Sequence, residues 1–341
     1  MNIKQTEKTL KQIRNIIANA KHVGIITHKN PDGDALGSSM AMYMSLKKQN
    51  IKVDVFTPNQ YPDFLSWIKD EQEIIVADKD KPATLKRLET CDVLLLQDFN
   101  ALNRIDWLAE PVKNHEATKI LIDHHPHPEN HFDYSISETE MSSTAELVYH
   151  LFQTWEWDHL IDQDIAEAFY CGILTDTGCF NYNSSDPKIF EVVANLLKKG
   201  VRKDNVYAQI YNNYSFDRMQ LLGLALNKRM HYFPEHKTAY IALSKADMKT
   251  FNYKSGDTEG FVNYPLSIKG TVFTVLFIEK ANEIKLSFRS IGDFPANEFA
   301  AKYFNGGGHK NAAGGNSQLT LQESIDKFVS VLPDFLNTLK L

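Results

Sequence analysis

The sequence predicts a two-domain α/β protein. An N-terminal domain is built on a parallel β-sheet with helices on both faces, and a helical connector leads to a smaller α/β C-terminal domain. Three observations carry this. Short aliphatic runs without alternation, at residues 23–27, 93–96 and 120–122, are what strands buried on both faces of a parallel sheet look like. Helix-length segments separate them, the alternation expected of βαβ units. And 341 residues exceed what one hydrophobic core comfortably holds. The boundaries expected from these patterns are 1–190 for the first domain, 191–231 for the connector and 232–341 for the second domain.

The elements follow in order. Ile3, Leu10, Ile13, Ile16 and Ile17 outline an amphipathic N-terminal helix. The strand at 23–27 leads through Pro31-Asp32-Gly33 into a helix over 36–48, then a strand at 52–56. The strand at 93–96, a helix near 102–108 and the strand at 120–122 continue the alternation. Ser143 and Glu146 have the spacing of a capping box opening a helix over 143–151. Helices follow at 165–174, 187–199 and 216–230; the run 172–175 fits the end of a helix as well as a buried strand. Beyond them, 237–243, 271–278 and 283–288 read as strands, the last two forming a hairpin that turns at Lys280-Ala281-Asn282. A glycine-rich loop at 305–315 and a helix from about 321 close the chain. No internal repeat is visible.

Composition narrows the function. No apolar run reaches the roughly 18 to 20 residues that span a bilayer, and the N-terminus lacks a signal-peptide pattern. Three cysteines, with no C-x-x-C pair, read as small buried fillers of a reducing cytoplasm. A net charge of −6 argues against wrapping long nucleic acid. The charge is uneven: +1 from His231 onward and −7 before it, so divalent cations in the first part would offset much of the excess.

Four polar clusters follow the apolar runs: His28-Lys29-Asn30-Pro31-Asp32-Gly33-Asp34, Gln97-Asp98, Asp123-His124-His125, and Asp176. In an open parallel sheet, residues just past the strands' carboxyl ends converge on one crevice. Carboxylates gathered there repel one another unless cations are present, so the pattern asks for a metal site, with two ions. Local alternatives explain single clusters only. A turn with Asp34 capping the next helix would account for the first; an EF-hand loop would not, since Gly33 stands between the acids and Leu36 follows. His124 and His125 are adjacent, so on extended backbone they point in different directions, one toward metal and one toward substrate. His127 and His131 are weaker ligand candidates. The run Gly306-Gly307-Gly308-His309 with Ala312-Ala313-Gly314-Gly315 exposes backbone N–H groups that an anion can approach closely.

Taken together, HKNPDGDALGS at 28–38, Asp98, Asp123-His124-His125, Asp176 and GGGHKNAAGG at 306–315 resemble the DHH phosphoesterases, and the second domain resembles their DHH-associated domain. The compact length is most similar to the branch of nano-RNases and 3′-phosphoadenosine 5′-phosphate (pAp) phosphatases. RecJ-like exonucleases share the motifs but usually carry further nucleic-acid-binding parts. One departure is Gln97-Asp98-Phe99-Asn100, where relatives often have Asp-Thr-x-Asn or a further acid.

The resemblance implies one metal held by His28, Asp32 and Asp98 and a second held by Asp34, Asp98, His124 and Asp176, with Asp98 shared. It makes His125, Asp98 and Asp123 the catalytic residues: His125 faces the scissile phosphate, and Asp123 fixes the tautomer of a neighbouring imidazole. Arg289, Gly307, Gly308 and His309 would bind the substrate. Mixed imidazole and carboxylate donors suit Mn2+, with cobalt, iron or magnesium as alternatives. The expected chemistry is hydrolysis of short oligonucleotides, and of pAp to AMP, by water that two cations acidify. Competing readings are a phosphodiesterase for pApA or cyclic di-AMP, an exopolyphosphatase or inorganic pyrophosphatase, and a nucleotide-binding regulator without catalysis. Expected partners are short single-stranded oligonucleotides or nucleotides, with no membrane and no long duplex. A homodimer is left open, and the expected location is the cytoplasm.

Overall fold

Aliphatic strands buried on both faces need a helical layer on each side, and the first unit of the protein supplies both. The computed structural model describes residues 3, 5–254 and 256–339. These fall into two units, one ending at Asn213 and the other starting at Tyr214. The first runs α1 (Glu7–Ala18), β1 (His22–Ile26), α2 (Gly33–Lys48), β2 (Lys52–Thr57), β3 (Ile75–Val76), α3 (Lys81–Leu88) and β4 (Val93–Gln97). It continues with α4 (Ala109–Lys113), β5 (Thr118–Asp123), β6 (Tyr134–Ser137), α5 (Thr144–Thr154), α6 (Gln163–Asp176), α7 (Pro187–Lys198) and α8 (Lys203–Tyr211). The strands form one parallel sheet in the order β3-β2-β1-β4-β5-β6.

The absence of alternation in β1, β4 and β5 now has its cause. Val23, Ile25, Val93, Leu95, Ile120 and Ile122 face a core shared with α2, α5 and α6. Ile26, Leu94, Leu96 and Leu121 face a second core with Leu102, Ile105, Leu108 and Val112. The register sets Ile26 beside Leu96 and Gln97 beside Ile122, so the polar clusters after β1, β4 and β5 emerge along one edge. The run before Asp176 is helix: α6 ends on that residue. Two short strands, β3 and β6, had no readable pattern. Near 102–108 the chain forms 3-10 turns broken at Asp106 (φ 54, ψ −131) rather than a continuous helix.

Glycines decide how closely the helices behind the site approach. A Cβ on Gly37 of α2 would lie 2.5 Å from the Ala168 carbonyl oxygen of α6, and one on Gly172 would lie 2.5 Å from the Ala145 Cβ of α5. Backbone cannot move aside as a flexible side chain can. Gly37→Ala is therefore expected to lower stability by about 1–2 kcal/mol in denaturant unfolding, because overpacking outweighs the gain in helix propensity. Gly223, with no atom within 4 Å of its Cβ position, supplies the control, and its change to alanine should be neutral or stabilising.

The stretch expected as a connector is shared between the units: α7 and α8 pack against α6, whereas α9 (Phe216–Leu224) lies in the second unit and packs Leu221 and Leu222 against Ile241 and Leu276. A turn of π-helix at Ala225–Arg229 follows, so the helix stops short of Met230. Next come β7 (Met230–Phe233), β8 (Thr238–Leu243), α10 (Lys245–Thr250), β9 (Phe273–Glu279), β10 (Ile284–Ser290), α11 (Ala296–Tyr303), β11 (Gly307–His309), β12 (Ala312–Ser317) and α12 (Leu321–Leu339). They form a mixed sheet ordered β11-β12-β10-β9-β8-β7, parallel only between β8 and β9. The β9–β10 hairpin closes with the Lys280 N–H on the Glu283 carbonyl at 2.8 Å. Phe273, Phe288, Phe299, Phe304 and Phe328 fill the core beneath α11 and α12.

The glycine-rich segment is not a loop. It folds into the β11–β12 hairpin, templated by β10. Glycine disfavours strands in isolation, yet here its missing side chain is required: a Cβ on Gly306 would sit 2.1 Å from the Gly314 carbonyl oxygen. Among the described residues no helix is long and apolar enough to cross a membrane.

Candidate metal centre

Each polar cluster is held by the end of an element. After β1, the His28 Nδ1–H donates to the Lys29 carbonyl at 2.9 Å. That bond turns Nε2 toward Asp32 Oδ2, at 3.8 Å, and Asp98 Oδ2, at 3.5 Å. Burial alone would lower the pKa of His28, but the two carboxylates outweigh it and raise the imidazole to about 10. The residue that caps α2 is Asp32, not Asp34: its Oδ1 accepts the N–H groups of Asp34 and Ala35, both at 3.0 Å. Burial works to raise the Asp32 carboxyl, yet the bond to His28 and the charge of His28 hold it below the usual carboxylate range, with 44 % of the side chain still exposed to screening water.

Asp34 reaches from the first turn of α2 to the N-terminus of α5. Its Oδ2 accepts the Thr144 N–H at 2.6 Å and its Oδ1 accepts the Ala145 N–H at 2.8 Å. Burial, then the charges of Asp98, Asp176 and Asp32, push its carboxyl well above the ordinary value. Asp176, at the end of α6, is pushed to about 6 by burial and by Asp32 and Asp98, against the pull of His124.

His124 and His125 take different partners. The His124 Nδ1–H points to the Met141 carbonyl at 3.2 Å, and Nε2 faces Asp34 Oδ2, Asp98 Oδ1 and Asp176 Oδ2 at 3.8, 3.7 and 3.5 Å. The His125 Nδ1–H donates to Asp123 Oδ1 at 2.7 Å. Burial lowers the His125 pKa, but Asp123 more than reverses this, and the net shift is upward. The two rings meet nearly edge-on, 4.8 Å between centroids.

Asp98 lies among them. It holds a left-handed backbone (φ 66), which aspartate tolerates better than most residues. One carboxylate oxygen faces His28, and the other faces His124 while accepting the Thr144 hydroxyl at 2.9 Å. Donor atoms within 4.8 Å of one another form three groups in this unit: His28, Asp32 and Asp98; Asp34, His124 and Asp176; and Asp98, Asp123 and His125. His127 and His131 join none of these. Carboxylates whose charge is disfavoured by burial and by one another, beside imidazoles with Nε2 turned inward, are a donor set suited to divalent cations.

The Gln97 side chain is fully buried, and neither polar atom has a hydrogen-bond partner among the described residues. Phe99 packs into the core on the sheet's other face, and Asn100 Nδ2 donates to the Pro126 carbonyl at 2.6 Å. The departure from the usual motif therefore leaves the Asp98 carboxylate in place.

In the second unit, Arg289 of β10 and His309 of β11 both pair with Ala312 of β12. Directly paired residues share a sheet face, so Arg289 and His309 flank Ala312 on one rung. Gly307 pairs with Gly314 and Gly308 with Ala313. Lys285 and Ser287 lie on the same face as Arg289, and the Arg289 Nη1–H donates to the Phe288 carbonyl at 2.9 Å.

Residues that the sequence did not mark are Met141, Ser142 and Thr144. Ser143 caps α5 as its spacing predicts, accepting the Glu146 N–H at 3.0 Å. The Glu146 carboxylate does not complete the box; it turns to the Ser142 N–H and hydroxyl at 2.8 and 2.6 Å. The cap was legible, but the partners of the first-turn amides were not.

Comparison with known proteins gives a consistent picture. The family model described as DHH family, N-terminal domain, matches residues 22–173, and that of the DHHA1 domain matches 238–338. A crystal structure of an exopolyphosphatase-related protein from Bacteroides fragilis is 39% identical, with a TM-score of 0.93 over 98% of each chain. A Thermus thermophilus protein named bifunctional oligoribonuclease and PAP phosphatase NrnA is 28% identical over 92% of this chain and 89% of its own. RecJ of Thermus thermophilus, crystallised in complex with Mn2+, shares the fold at 12% identity and a TM-score of 0.58, over 99% of this chain and 55% of that one.

Proposed function

We propose a function from the premise that this chain belongs to the DHH family and joins a DHH domain to a DHHA1 domain: it is a cytoplasmic, metal-dependent phosphohydrolase of short oligonucleotides and of pAp. The observation that carries the reading is the division of one carboxylate, Asp98, between two imidazoles. Shared in this way, it suits two cations held side by side. His28, Asp32 and Asp98 would hold one; Asp34, Asp98, His124 and Asp176 would hold the other. Manganese fits this mixture of nitrogen and oxygen donors. Such ions supply Lewis acidity toward a phosphoryl oxygen and lower the pKa of water.

The protein's own residues supply the rest. His125, whose pKa is raised by Asp123, can donate to a phosphoryl oxygen as negative charge grows there. Asp123 holds that ring's tautomer through Nδ1. On the second unit, Arg289 offers a planar fork to a phosphate, and His309 with the backbone of Gly307 and Gly308 completes a grip for one terminal nucleotide.

The overall charge of −6 opposes a long strand. Purified protein with Mn2+ is to be assayed on pAp, on oligonucleotides from dinucleotides to 24-mers, and on pyrophosphate and polyphosphate. Dinucleotides to pentanucleotides should be cleaved at least about tenfold faster than a 24-mer, a difference of about 1.4 kcal/mol. Arg289→Ala should raise KM for the short substrates about tenfold and erode the length preference, with metal content unchanged. Equal rates on long and short strands would refute this account of the second unit. The name of the Bacteroides fragilis relative favours a second reading, an exopolyphosphatase, and polyphosphate as the best substrate would select it.

A further inference from the structure

Thr144 contacts two of the carboxylates at once without being a ligand candidate itself. Its N–H donates to Asp34 Oδ2 at 2.6 Å and its hydroxyl to Asp98 Oδ1 at 2.9 Å. The next residue, Ala145, gives its N–H to the other Asp34 oxygen. Three residues before Thr144, the Met141 carbonyl receives the Nδ1–H of His124. One stretch of chain, 141–145, thus orients Asp34, Asp98 and His124 together. The stretch is braced in turn, since the Glu146 carboxylate accepts from both the N–H and the hydroxyl of Ser142 and faces His150 Nε2 at 3.6 Å. Ser142, Ser143, Thr144 and Glu146 are all buried, so bulk water does not compete for these bonds.

We propose that Thr144 is a positioning residue of the metal centre and that Glu146, acting through Ser142, holds it in register. The inference rests on the two-cation reading above. A carboxylate oxygen has two lone-pair directions. The Thr144 hydroxyl occupies one on Asp98 Oδ1, leaving the other for a cation on the His124 side. Its backbone N–H does the same for Asp34. The amides belong to the first turn of a helix, whose partial positive charge lies where the carboxylates are densest.

The test is Mn2+ titration of metal-stripped protein by calorimetry, with the unfolding midpoint of the metal-free form measured alongside. Thr144→Val keeps the β-branched shape and the backbone amides but removes the donor. It should weaken Mn2+ binding about 10- to 100-fold, whereas Thr144→Ser, which restores the hydroxyl, should stay within about threefold of the wild type. Glu146→Gln, one bond further out, should weaken binding less than Thr144→Val does, and it serves as the measurement if the valine variant does not fold. A loss of affinity rescued by serine, at an unchanged metal-free midpoint, separates positioning from general destabilisation. Wild-type affinity in Thr144→Val, or in Glu146→Gln where that variant must serve, overturns this proposal alone. A wild-type protein that takes up no Mn2+ overturns the two-cation reading as well.

Discussion

Asp98→Asn should lower kcat/KM by about three orders of magnitude or more, equivalent to about 4 kcal/mol of transition-state stabilisation, and reduce bound metal from two ions toward one or none. The expectation follows from the position of this side chain. Its two oxygens face His28 and His124 in turn, and it also accepts the Thr144 hydroxyl. An amide is neutral and offers one acceptor oxygen, so at most one of the two proposed cations keeps residue 98 as a ligand. Asparagine is a cleaner substitution than alanine because residue 98 has φ 66, a conformation that asparagine also tolerates. Metal analysis by mass spectrometry alongside the rate assay decides the matter. Two tightly held ions in the variant would sink the assignment of Asp98 as the shared ligand.

A different signature is expected at His125. His125→Ala should keep its metal content while kcat falls about 10²- to 10⁴-fold, the range for losing a positioned proton donor. His124→Ala should instead lose metal, since its Nε2 faces three carboxylates. The two rings are neighbours in sequence and 4.8 Å apart in space, so the comparison holds location nearly constant and varies only which partner each imidazole addresses. Metal loss in His125→Ala equal to that in His124→Ala would show the division of labour to be wrong.

Much of this was legible because burial on two faces leaves a plain mark. Val93 to Leu96 and Ile120 to Ile122 have no polar face, and polar residues resume abruptly at the strand ends, where backbone pairing stops. The β11–β12 hairpin was illegible for the opposite reason. Its residues carry almost no side chain, so no period exists to read, and β10 alone makes them a strand. The roles of Thr144 and Met141 were hidden because they act through a hydroxyl and backbone groups that reach partners 17 to 110 residues away in sequence. The exchange of Asp34 for Asp32 as the α2 cap is a difference of two residues, within the ordinary blur of helix boundaries. It nonetheless matters, because it releases Asp34 to reach α5.

The glycine contact between α2 and α6 fixes more than stability. Asp34 rides on the first turn of one helix and Asp176 ends the other, and between them the helices touch backbone to backbone at Gly37 and Gly172. A seam made of main chain has no rotamers with which to yield, so the backbone positions from which these two carboxylates project are held at one spacing, as the two arms of a calliper are.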